Sequence, residues 1–174
     1  MRSWQPVDPA LRKAWAGFDL CGALARALGR PTRMVNDADL QGLDASSGSG
    51  LEVVVTLGTG FGTAVLRDGV LNAHLEVAQH VFRHDETYDD QLGEAARKNI
   101  GNKKWNRRVR LAFASIDKLL LFDHLYVGGG NARHLTGALG DRIILLDPNA
   151  GILGGVKLWE QPTDHFAGAA PTRA

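Results

Sequence analysis

The stretch Leu51-Glu52-Val53-Val54-Val55-Thr56-Leu57, stopped by Gly58-Thr59-Gly60, constrains the fold of this chain more than any other segment. Seven residues rich in β-branched and aliphatic side chains, without polar alternation, read as a strand buried on both faces. Such a strand needs a layer on each side of its sheet, an arrangement that α/β chains provide. Beyond the glycine turn, Phe61, Thr63 and Val65 alternate with smaller residues, and Asp68-Gly69 supplies a hairpin turn before Val70-Leu71. Three antiparallel strands are expected here. His124 to Val127 and Ile143 to Leu146 read as two more, the first ending in Gly128-Gly129-Gly130 and the second in Asp147-Pro148, a cap and first-turn proline.

The helices follow from apolar spacing. Asp19 caps a helix in which Leu20, Leu24 and Leu28 recur every four residues, stopped by Gly29 and Pro31. Thr32 to Val35 reads as a short strand ending in Asn36-Asp37-Ala38-Asp39, after which Leu40 and Leu43 suggest a brief helix. Ser46-Ser47-Gly48-Ser49-Gly50 reads as a flexible joint, with a lobe boundary near residue 48. From Lys103 onward Trp105, Val109, Ala112, Phe113 and Ile116 keep helical spacing while most of the basic residues occupy other faces. A last helix should run to about Trp159, and its Gly151, Gly154 and Gly155 imply a glycine face pressed against a neighbouring element. After Glu160 the Pro, Gly and Ala content suggests a disordered tail.

Composition excludes more than it names. With 20 Lys and Arg against 19 Asp and Glu, the net charge of +1 gives no global attraction to nucleic acid or an anionic membrane. The longest apolar run falls far short of the roughly 20 residues that cross a bilayer. Asp8, Arg12 and Lys13 follow the first residues where a secretory signal would have an apolar core, so a cytoplasmic protein is expected. Cys21, the single cysteine, rules out an internal disulfide and a cysteine zinc cluster, and reads as a small buried hydrophobe.

Three strand ends carry chemical suggestions. Asp37, an ionised carboxylate after a strand, could take the proton of a hydroxyl group that attacks phosphorus. Gly58-Thr59-Gly60 would let backbone N–H groups approach phosphate oxygens without Cβ obstruction, with the Thr59 hydroxyl as a further donor. Gly128 to Gly130 could form a bare backbone wall for a nucleotide's base and ribose. Each has a plain alternative. Asn36-Asp37 is also an ordinary helix cap, Gly58-Thr59-Gly60 a tight hairpin, and the triple glycine a strand-to-helix connection. Glu76 is otherwise an exposed carboxylate, His80 a core histidine, and Lys103 to Arg110 a solvated helix face. No Cys or His spacing supports a metal site.

In order, Val35-Asn36-Asp37-Ala38-Asp39, Thr56-Leu57-Gly58-Thr59-Gly60-Phe61-Gly62, Leu75-Glu76 and Val127-Gly128-Gly129-Gly130-Asn131-Ala132 resemble the ROK sugar kinases, particularly the branch related to polyphosphate glucokinases. Asn102 to Arg108 and Asn149 to Gly155 are similar to that branch too, so the resemblance covers about residues 14 to 160. It implies the actin-like ATPase, ribonuclease-H-like fold, mainly its C-terminal lobe at residues 49–160, with a remnant of the N-terminal lobe at 1–48 and the tail at 161–174. It also implies a glucokinase-like hexose kinase, with ATP or polyphosphate as phosphoryl donor and Mg2+ accompanying it. Asp37 would be the base, and Asn36, Glu76, Gln79 and His80 would hold sugar hydroxyls. Gly58, Thr59 and Gly60 would bind phosphate, and Gly128, Gly129 and Gly130 the nucleotide. Lys103, Lys104, Arg107 and Arg108 could follow a polyanion.

The departures from the family bear on activity. Members begin with an N-terminal lobe of roughly a hundred residues whose strand and hairpin carry Asp-x-Gly-Gly-Thr. This chain is expected to start after it. Gly17-Phe18-Asp19-Leu20-Cys21-Gly22-Ala23 resembles that hairpin only superficially, because helical spacing runs through it. Without the lobe, the first helix and strand would expose apolar faces unless they repack or form a homodimer. The alternative reading is therefore a catalytically inactive sugar- or nucleotide-binding half derived from such a kinase. The family histidine three residues after the glutamate is here Gln79, with His80 next. The zinc cluster of many ROK proteins is absent from the sequence, and so is any helix-turn-helix segment like that of the ROK repressors, so neither zinc nor nucleic acid is expected.

Overall fold

The computed structural model describes residues 15–147 and 151–162. They fall into two compact units that meet in sequence between Met34 and Val35, earlier than the joint at which the sequence suggests a lobe boundary. In the smaller unit, α1 (Leu20–Leu28) begins where the Asp19 carboxylate accepts the Gly22 N–H at 2.8 Å. It ends at Gly29, whose left-handed backbone (φ 60°) returns an N–H to the Ala25 carbonyl. Helix thus runs through the segment that resembles a phosphate hairpin. Cys21 is only half-buried and its Sγ donates to the Thr32 carbonyl at 3.0 Å. The strand expected at Thr32 to Val35 is not formed: this segment pairs with no strand among the described residues.

In the larger unit, α2 (Asp37–Ala45) precedes β1 (Leu51–Leu57), β2 (Phe61–Arg67) and β3 (Val70–Leu71). After a single 3-10 turn at Val77–Gln79 come β4 (Val81–Arg83), β5 (Glu86–Thr87), α3 (Tyr88–Leu92) and α4 (Glu94–Ile100). The long α5 (Asn102–Leu120), β6 (His124–Gly128), β7 (Ile143–Leu145) and the short α6 (Gly154–Lys157) complete it. Five strands form one sheet in the order β3-β2-β1-β6-β7, and β4 and β5 pair separately. β1 is antiparallel to β2, with Leu57 opposite Phe61, and parallel to β6, with Thr56 opposite Gly128.

β1 is buried on both sides, as its composition requires. Val53, Val55 and Leu57 join Leu125, Val127 and the α5 residues Trp105, Val109, Phe113 and Ile116 in the core on one face. α2 covers the other face. A Cβ on Gly42 would lie 2.9 Å from Leu66 Cδ1 and 3.0 Å from Val54 Cγ2, so the absence of a side chain there sets how closely α2 approaches the sheet.

Two segments differ from their sequence reading. Glu52, inside the apolar run, is fully buried, and it organises the supposed flexible joint. Its carboxylate accepts from Ser46 Oγ, from the Ser47 N–H at 2.7 Å, from Ser47 Oγ at 2.9 Å and from the Tyr126 hydroxyl at 2.9 Å. Burial alone would push this carboxyl up, but the four donors outweigh it and hold it below the usual glutamate value. The last helix is shorter than expected and begins at Gly154; the cap and proline at 147–148 fall partly outside the described residues. Its glycine face is present, since a Cβ on Gly154 would stand 1.9 Å from the Leu40 carbonyl oxygen. At the start of the expected tail, Gln161 accepts the Leu71 N–H at 2.9 Å and donates to the Gly69 carbonyl at 3.0 Å, holding the sheet's β3 edge. The rest of that tail, from residue 163, lies outside the described residues.

Candidate active site

The Gly58-Thr59-Gly60 turn follows β1 and the triple glycine ends β6 at one end of the sheet, because the two strands are parallel with Thr56 opposite Gly128. α2 runs back along the sheet with its first residue at this end: Ala38 is fully buried, and a Cβ on Gly62 would touch its side chain at 3.5 Å. Asn36 caps α2, accepting the Ala38 N–H at 2.9 Å, while Asp39 accepts the Asn36 N–H at 3.3 Å. Asp37 stands at the exposed rim. Its Oδ1 accepts the Ala38 N–H at 2.8 Å, and among the described residues its Oδ2 has no donor. Asn36-Asp37 is therefore a helix cap and an available carboxylate at once.

The Gly58-Thr59-Gly60 turn is held by its carbonyls. Asn131 Nδ2 donates to Gly58 O at 2.8 Å, and the Glu94 N–H donates to Gly58 O and Thr59 O at 3.1 and 3.2 Å. The Phe61 N–H donates to Asp89 Oδ1 at 2.6 Å. Gly58 N–H donates to Gly60 O, so of the turn's amides those of Thr59 and Gly60 have no acceptor among the described residues. Two open N–H groups on a partly exposed turn are of the kind that an anion can accept from. Gly60 and Gly93 are both required there: a Cβ on Gly60 would meet Asp89 Oδ1 at 2.6 Å, and one on Gly93 would meet Thr59 O at 2.6 Å.

Asp89 joins this turn to the segment expected to bind sugar. Gln79 Nε2 donates to its Oδ2 at 3.4 Å. Burial raises the Asp89 carboxyl above the usual aspartate value; the Phe61 N–H pulls it down, and the charges of Glu76 and Asp90 push it up again. Glu76 is exposed and bonded to His74, whose Nε2 lies 2.9 Å from Oε2. His80, expected either in the core or on sugar, is exposed and turns its Nδ1 to the Val81 carbonyl at 3.0 Å.

Gly128 and Gly129 close the β6 side. A Cβ on Gly128 would clash with the Gln41 side chain of α2, and one on Gly129 (φ +83°) would lie 2.5 Å from Leu57 O. Both glycines are explained by contacts within this unit, while Gly130 is exposed with open space around it. Lys103, Lys104 and Arg107 lie exposed on the first turns of α5, and Arg108 is half-buried. Asp89, Gln41, Gly93 and His74 escaped the sequence reading because each acts through a distant partner. Only Asp89, in the first turn after the Thr87 capping box, carried a local signal.

Magnesium needs several oxygen ligands in near-octahedral geometry. Among the described residues no three His, Cys, Asp or Glu side chains converge. Asp37 is a single rim carboxylate, so the residues present do not build a protein-held magnesium site.

No protein-family model matches the sequence. A polyphosphate glucokinase of Mycobacterium tuberculosis is 29% identical over 134 residues, covering 70% of this chain and 49% of that protein. The inorganic polyphosphate/ATP-glucomannokinase of Arthrobacter superposes with a TM-score of 0.73 at 27% identity, over 91% of this chain and 67% of its own. The chain is similar in sequence and structure to polyphosphate-using glucokinases. A ROK family glucokinase from Streptomyces griseus, solved with glucose and AMPPNP, shares the fold with a TM-score of 0.58 at 15% identity, over 80% of this chain and 71% of its own. The architecture is thus that of the ROK sugar kinases, with their actin-like ATPase fold. The chain spans about half the length of the Mycobacterium relative. Among the described residues, no helix is long and apolar enough to cross a membrane.

Proposed function

We propose that this chain supplies the catalytic base and the phosphate cradle of a glucokinase-type hexose kinase. The observation that supports this is that α2, which begins with Asp37, starts beside Gly62 and Thr56 at the end of β1 that the Gly58-Thr59-Gly60 turn follows, and that His74 lies between Asp39 of α2 and Glu76. Asn36, Glu76, Gln79 and His80 hold the hexose so that its 6-hydroxyl faces Asp37. The hydroxyl oxygen attacks the terminal phosphorus of ATP or polyphosphate, and Asp37 takes the hydroxyl proton. The bond between phosphorus and the donor's bridging oxygen breaks, and ADP or a shortened polyphosphate departs. The Thr59 and Gly60 amides and the Thr59 hydroxyl hold the transferring phosphoryl group, since this chemistry depends on positioning and charge stabilisation. Gly128, Gly129 and Gly130 lie on the donor's nucleotide side.

Polyphosphate as donor is supported by the likeness to the Mycobacterium polyphosphate glucokinase and the Arthrobacter polyphosphate/ATP-glucomannokinase and by the exposed Lys103, Lys104 and Arg107. Neutralising these three with Arg108 should weaken polyphosphate use and flatten its salt dependence while sparing ATP. The purified chain, incubated with glucose and either donor in a magnesium buffer, should form glucose 6-phosphate detectable by phosphorus NMR. Glucose binding without any product would leave the binding-half reading in its place.

A further inference from the structure

We infer that His74 is a positioning residue that orients Glu76 toward the sugar. The inference rests on the hexose-kinase reading for what Glu76 holds. Glu76 begins the Val77–Gln79 turn but makes no side-chain cap there, and among the described residues His74 is the one side chain that hydrogen-bonds its carboxylate. An ionised carboxylate only accepts, so the His74 nitrogen facing it, Nε2, carries the proton.

The other ring nitrogen, Nδ1, lies 3.8 Å from Asp39 Oδ1. Asp39 is engaged in the Asn36 cap, so the imidazole, hydrogen-bonded to Glu76, stands beside the first turn of α2. The backbone around His74 is fixed independently. Asn72 N–H donates to Val65 O at 2.9 Å, and Thr63 Oγ1 donates to Leu75 O at 2.7 Å, so β2 determines where the ring stands. An exposed pair of this kind adds little to stability. Its value is orientational: without His74 the Glu76 carboxylate, 60% exposed, becomes a freely rotating surface group.

Glucose affinity measured by titration calorimetry, together with turnover, tests this. His74→Ala should weaken glucose binding about 5- to 10-fold, the loss expected for one charge-assisted hydrogen bond, with KM rising more than kcat falls. His74→Gln, whose amide nitrogen reaches a similar distance from the backbone, should recover most of the affinity. An unchanged dissociation constant in His74→Ala, or a loss that His74→Gln does not recover, overturns the inference. Absence of phosphoryl transfer in the unsubstituted chain overturns the kinase reading instead, while the calorimetric comparison still decides the role of His74. Absence of glucose binding by the unsubstituted chain overturns both.

Discussion

Asp37 and Glu52 are carboxylates fifteen positions apart in sequence with opposite environments. Asp37 is exposed and half-engaged, as a proton acceptor must be if a hydroxyl is to reach it. Asp37→Asn keeps the Ala38 contact and the shape of the rim but removes the basic oxygen. Turnover should fall by about 100- to 10,000-fold with glucose affinity retained, measured by coupled assay and calorimetry. Glu52 is buried and saturated with donors, so it should act on stability alone. Glu52→Gln leaves Ser and Tyr donors mispaired and should cost about 1–3 kcal/mol at pH 7. The folded-state pKa of Glu52 is depressed, so its contribution is fully present above the ordinary value of 4.5 and is lost as pH falls through the folded value. The difference in Tm between the two proteins should therefore shrink when melting is followed from pH 7 down to pH 3. The sequence exposes Asp37 because a helix cap is a local pattern. It hides the role of Glu52, whose partners Ser46, Ser47 and Tyr126 come together only in the fold.

At the scale of elements, β1 and α5 were legible because their apolar patterns mirror the faces they bury. The segment Thr32 to Val35 reads as a strand but forms none, since β-branched residues state a preference that only a neighbouring strand can satisfy. The glycines of the last helix were readable as a contact surface, although not their partner. The structure separates two that look alike in sequence. Gly154→Ala drives a Cβ into the Leu40 carbonyl and should destabilise by about 1–3 kcal/mol. Gly155→Ala meets only Leu40 Cδ2 at 3.9 Å and should leave stability unchanged or raise it by up to about 1 kcal/mol. Thermal melts of the two variants should diverge in that order. Equal losses would mean that α6 does not pack on α2 through Gly154.

At the scale of the larger unit, the proposed function depends on two strand ends, those of β1 and β6, and the start of α2 meeting at one end of the sheet. The order of motifs along the chain suggested this. The connections that bring it about were invisible there: Asn131 onto Gly58, Asp89 onto Phe61, Gln41 against Gly128 and His74 between Asp39 and Glu76. Most of these contacts join residues far apart in the sequence. Together they hold the separate loops beside one another, as the proposed site requires. Amide NMR tests that arrangement most directly, by following the backbone signals of Ala38, Thr59 and Gly60 as glucose and then inorganic triphosphate are added. Glucose should shift Ala38, and triphosphate should move Thr59 and Gly60 most, with a further change at Ala38 as the two ligands become neighbours. Triphosphate signals confined to other surfaces, with Thr59 and Gly60 unmoved, would contradict a shared site.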